Sequence, residues 1–105
     1  MQHIFLAEGA WQKLSLPEQL GNIGSEVGRA LRAKTLLDKT AAAGRALELC
    51  DLTLADTRWH GRGSEIARVR EVLCDYLFGS NIFGSTPAEL ENYFGHFALV
   101  ARLKR

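Results

Sequence analysis

The stretch Ser64–Glu89, SEIARVREVLCDYLFGSNIFGSTPAE, decides the fold class. Its first part sets Ile66, Val69, Val72, Leu73, Tyr76 and Leu77 at the three-and-four spacing that lines up one face of an α-helix. Arg68, Glu71 and Asp75 fall on the far side, Arg70 lies at the border, and Ser64 is suited to cap the start. Gly79 ends the run. Two Phe-Gly-Ser triplets follow, Phe78–Ser80 and Phe83–Ser85, and then Thr86-Pro87-Ala88-Glu89, a capping box with proline where its missing N–H costs nothing. An amphipathic helix, a glycine-punctuated aromatic loop and a fresh helix start therefore follow in direct succession. None of the three carries a catalytic signature.

Working toward the N-terminus, Ser15-Leu16-Pro17-Glu18 is a second capping box, and Leu20, Ile23, Val27 and Leu31 then form one stripe that leaves Glu26 and Arg29 outward. Gly24 and Gly28 lie beside that stripe, each weakening the helix by about 0.8–1.0 kcal/mol relative to alanine, so both read as places where another helix comes close. A single helix from Ser15 to Ala55 would be about 60 Å long. That is too long for so small a domain, and a break is expected at Leu36–Lys39, where Lys34 and Asp38 interrupt the stripe. Beyond it Ala43, Leu47, Cys50 and Leu54 form a main seam with Leu49 and Leu52 on the opposite side. Such a two-faced helix is central in its domain or buried in an oligomer interface.

Asp56 to Gly63 reads as a polar loop, and the last helix is expected to bury Leu90, Phe94, Phe97 and Ala101, flanked by Tyr93 and Val100. The fold class is therefore all-α: an antiparallel, up-and-down four-helix bundle in a single domain over residues 1–105. Its helices are placed at about 15–35, 40–55, 64–78 and 86–103, with a short additional N-terminal helix at about 4–14 that carries Ile4, Phe5 and Trp11.

Composition limits the function. With 47% hydrophobic and 24% charged residues the 105-residue chain is an ordinary globular protein, and a net charge of +1 argues against a dedicated nucleic-acid groove or an anionic-membrane surface. The basic tail Arg102, Lys104, Arg105 suits the negative end of a helix dipole. Cys50 and Cys74 sit among apolar neighbours without a CxxC partner and read as packing residues in a reducing compartment. No apolar segment spans a bilayer and no secretory leader is recognisable, so the expected location is cytoplasmic.

Candidate chemistry is sparse. Glu48 and Asp51 on the second helix, with Glu71 and Asp75 on the third, have the spacing for a carboxylate metal site between facing helices, but only Asp51 borders an apolar stripe. The Glu-x-x-His repeat of di-iron bundles is absent. His3, His60 and His96 are scattered without metal-ligand spacing, and the arginine–histidine spacing of RNA-cleaving bundles is missing. No serine lies in a G-x-S-x-G elbow.

Three segments, NIGSEVGRALRA (22–33), RALELCDLTLAD (45–56) and REVLCDYLFGSNIFGST (70–86), give the chain a resemblance to a small bacterial protein family with no assigned function. The resemblance covers most of the sequence after Leu16. It implies an all-helical fold and a bacterial cytoplasmic setting, and it carries no activity, cofactor or catalytic residue. The expectation is a non-enzymatic module that self-associates or docks a protein partner through the second helix (Leu49, Leu52), the glycine face of the first, or the aromatic loop (Asn81, Ile82 and Phe83). No cofactor, membrane or nucleic acid is expected. The alternative is a metal-dependent, or nucleotide- or phospho-metabolite-binding, bundle enzyme in which Arg68 and Arg70 contact the anion.

Overall fold

The computed structural model describes residues 9–103, all-α among those residues, with α1 Leu16–Arg32, α2 Leu36–Ala55, α3 Gly63–Phe78 and α4 Pro87–Leu103. A 3-10 turn at Trp11–Lys13 leads into α1, and a 3-10 helix at Thr57–Arg62 joins α2 to α3. Residues 4–8 of the expected N-terminal helix, with Ile4 and Phe5, lie outside the described ones, and its later part contains the 3-10 turn at Trp11–Lys13. Trp11 is fully buried.

Both capping boxes form. Glu18 N–H donates to Ser15 Oγ at 3.2 Å while Ser15 N–H donates to Glu18 Oε1 at 2.9 Å, and Thr86 and Glu89 make the same reciprocal pair at 3.1 and 3.0 Å. A third cap places the break differently from the sequence reading. Asp38 N–H donates to Thr35 Oγ1 at 3.1 Å, so α2 begins at Leu36 and the break lies at residues 33–35. Local cap chemistry outweighs the gap in the apolar stripe. Two further boundaries differ. The polar loop is the 3-10 helix just given, capped by Asp56, whose Oδ1 accepts from Arg58 N–H at 3.1 Å. Since α3 starts at Gly63 without a side-chain cap, Ser64 lies in its first turn and does not cap it.

Neighbouring helices run antiparallel, as residue numbers that rise on one fall on the next. On α1 and α2, Gln19 bonds to Asp56 and Glu26 to Arg45; on α1 and α4, Gly21 faces Ala98 and Gly24 faces Phe94, with Arg32 near Glu91. Asp51 on α2 pairs with Arg70 on α3 at 2.6 Å. The helices follow in up-and-down order, but only three of the four seams close. α1 packs against α4 and α2, and α2 packs against α3, whereas α3 and α4 do not pack along their lengths.

Gly24 explains the tightest seam. A Cβ there would collide with the Cβ of Phe94, and one at Gly21 would lie 3.3 Å from the Cα of Ala98. Gly28 plays a different part, because the atoms a Cβ there meets first are the guanidinium end of Arg32's flexible side chain. The main core joins Leu20, Ile23 and Val27 to Leu49 and Cys50, then to Leu73 and Phe94. A smaller cluster of Ala30, Ala42 and Ala43 is covered by Leu77.

Central position corrects the reading of α2. Its buried line is Ala42, Ala43, Ala46, Leu49, Cys50 and Thr53, and Leu49 is only 2% exposed. Leu49 belongs to the core and cannot serve as a docking residue, while Leu52 is half-buried against that core. Glu26 is likewise inside, 4% exposed, held by Arg29 at 2.9 Å and Arg45 at 3.1 Å. Of the broad face expected of α3, only Ile66 and Leu73 are buried, because no helix closes over Val69 and Val72.

Candidate interaction groove between α3 and α4

The open seam is an apolar trough of about 670 Å³. Val69, Val72 and Leu73 of α3 form one wall, Leu90, Tyr93 and Phe94 of α4 the other, and Phe83-Gly84-Ser85 line it as well. Its lining residues on α3 come one pair per turn, at 64 and 65, 68 and 69, and 72 and 73, so the trough follows the helix axes.

The loop at its end is fixed by hydrogen bonds. The Asp75 carboxylate accepts from the backbone N–H groups of Ile82 at 2.8 Å and Phe83 at 3.1 Å, and the Asp75 carbonyl accepts from Gly79 N–H at 3.0 Å. Asn81 adopts a left-handed backbone, φ 55°, which asparagine tolerates better than most side chains, and its amide bonds both ways to the Ser85 backbone at 2.9 and 3.0 Å. Gly84, φ 68°, donates to the Asn81 carbonyl at 3.1 Å. This backbone holds Ile82 outward at 83% exposure and Phe83 at 51%. Two large apolar side chains thus stand exposed on an ordered turn.

The charges on the rim are unequal. Arg62 holds the Glu65 carboxylate in a two-pronged pair, at 2.8 Å and 3.3 Å, and Glu89 is committed to the α4 cap. Arg68 has no ion pair among the described residues; its guanidinium carbon stands 5.7 Å over the Phe83 ring. Burial pushes the Tyr93 phenol pKa up, and the nearby Glu65 carboxylate adds to that shift, with Arg62 opposing it.

The sequence-derived metal and anion sets come apart. Asp51 is tied to Arg70, Asp75 staples the loop, and Glu48 and Glu71 lie exposed. Among the described residues no group of three or more His, Cys, Asp or Glu is placed to hold a metal. Of the two arginines assigned to an anion, only Arg68 lines the groove. The described histidines, His60 and His96, are exposed, and His3 lies outside the described residues. Cys50 and Cys74 are both free thiols, and burial, reinforced by the neighbouring Asp51 carboxylate, pushes the Cys50 pKa up to about 12.

Sequence reasoning missed a second polar constellation, at the far end of the bundle. Gln19 donates to the Trp11 carbonyl at 2.9 Å and to Asp56 Oδ2 at 3.1 Å, and its own carbonyl accepts from Trp59 Nε1 at 2.9 Å. Trp11 Nε1 donates to Thr53 Oγ1 at 3.2 Å, and Arg58 bridges Asp56 to the Leu14 carbonyl at 2.7 Å. Hydrogen bonds from Arg58 hold the Asp56 carboxyl well below the usual carboxylate range, against the effect of burial. Every buried side-chain polar atom among the described residues has a partner, so this network is scaffold and offers no unsatisfied group to a ligand. The groove had one sequence signal, the unusual breadth of the α3 apolar face.

No family model, curated protein or solved structure matches the chain. Among the described residues no helix is long and apolar enough to cross a membrane.

Proposed function

We propose that this protein is a non-enzymatic interaction module that binds a protein, either another copy of itself or a different chain, in the α3–α4 groove. The supporting observation is the open seam: two anchored helices present apolar walls to each other across a trough that neither fills. Closing it would remove apolar surface from water at about 25 cal/mol per Å². Phe83 of the exposed turn lines the same groove, and Asn81 sets the turn's backbone. A cytoplasmic, bacterial setting belongs to this proposal, since the free thiols Cys50 and Cys74 suit a reducing compartment. Among the described residues no group of carboxylates is placed to hold a metal, so nothing there adds support to the enzymatic alternative.

Site-specific photo-crosslinking in cells tests the reading. A photoreactive residue at Val72 or Tyr93 is expected to trap a protein of defined mass, self or other, whereas one at Lys39, an exposed α2 position that does not line the groove, traps none. Absence of any adduct from both groove positions would overturn the proposal.

A further inference from the structure

Resting on the interaction reading, the occupant of the groove can be specified further. The α3 wall from Ser64 to Leu73 is about 14 Å long, between two and three turns of helix, and it is open along its side. Such a trough between antiparallel helices accepts a third rod, which would seat side chains between the walls as the missing seam would. The walls are apolar, so the face entering them must be apolar too.

The rim then decides the charge. Glu65 is neutralised by Arg62 and Glu89 is tied into its cap, which leaves Arg68 as the groove-lining cation without an ion pair among the described residues. It lies beside Val69 and over Phe83, where an arriving apolar face would strip its water. An anion delivered with that face would offset the loss, and a cation would add to it. We propose that the groove takes an amphipathic helix of a partner protein, its apolar stripe lying between α3 and α4 and a carboxylate beside that stripe meeting Arg68.

The test uses the full chain, isotope-labelled, and two synthetic helical peptides of about four turns. Both carry the same leucine stripe, and they differ only in having glutamate or lysine beside it. Expected is tighter binding of the glutamate peptide by about fivefold or more, with amide shifts at Val69–Leu73, Phe83–Ser85 and Leu90–Phe94. Arg68→Glu reverses the ranking and Arg68→Gln abolishes it; the neutral variant supplies the answer should the charge reversal not fold. Equal binding of both peptides keeps the groove as a docking site but overturns the acidic partner. Failure of both peptides overturns the helical occupant, and the interaction reading itself falls only if the crosslinking positions are silent as well. Saturation of the same amides by decanoate without peptide binding would assign the groove to a small amphipathic carboxylate. A dimer by sedimentation with those amides protected would assign it to a second copy, and either result overturns the proposal.

Discussion

α4 shows one side to α1 and the other to α3, and the two sides are built differently. Toward α1 the facing positions are Gly21 and Gly24, so the backbones meet and Phe94 lies directly on the glycine. Toward α3 both partners carry bulky side chains, Tyr93 and Leu90 against Val69 and Val72, and the helices stand apart. α4 cannot leave α1 without opening the glycine seam, and α3 is held to α2 by the core and by the Asp51–Arg70 pair. An apolar gap between two anchored helices cannot collapse as a simple core cavity would. It persists as exposed apolar surface.

The packed side should be intolerant and the open side permissive, and the largest effect expected is at Leu49. Leu49→Lys puts a charge into a fully packed site and is expected to cost about 4 kcal/mol or more in urea denaturation. A variant that stayed native-like and changed only its association would move Leu49 out of the core. Next, Gly24→Val should lower stability by about 2–3 kcal/mol through overpacking against Phe94. Gly28→Ala should instead be neutral or gain up to about 1 kcal/mol, because Arg32 can swing aside. Equal losses at both glycines would erase the distinction between a close-approach glycine and a merely tolerated one.

Acid sharpens the contrast between the polar scaffold and the apolar groove. The folded-state pKa of Asp56 is depressed, so its contribution is complete above the unfolded value of about 3.9 and disappears as pH falls from there toward the folded value. Glu26 acts in the same sense: burial raises its pKa, but the hydrogen bonds from Arg29 and Arg45 outweigh that and lower it. The urea midpoint should therefore fall below about pH 4, and Asp56→Asn should start lower at neutral pH with a shallower acid dependence. An unchanged acid dependence in that variant would remove Asp56 from the scaffold. The smallest stability effect is expected at Ile82→Ser, within about 0.5 kcal/mol of the parent by thermal melting. The same change should weaken crosslinking from the groove; a melting shift like that of Gly24→Val would mean Ile82 is structural.

Helix class and the starts of α1 and α4 were legible in the sequence because they depend on local chemistry. Three-and-four spacing makes Ile23 and Val27, or Ile66 and Leu73, share a face whatever surrounds them, and Ser15–Glu18 and Thr86–Glu89 close their boxes within one turn. The Thr35–Asp38 cap is equally local, and it, not the interruption of the apolar stripe at Lys34 and Asp38, sets the start of α2. The tertiary structure decided what depends on neighbours. It buried Leu49 and Glu26, split the carboxylate set into an ion pair and a loop staple, and joined Gln19, Asp56 and Trp59 across 40 residues of chain between Gln19 and Trp59. Above all it left α3 and α4 unpacked, since which helix pairs close follows from competition between seams. Spacing along the chain shows how wide an apolar face is, but only packing against the other helices shows how much of that face stays uncovered.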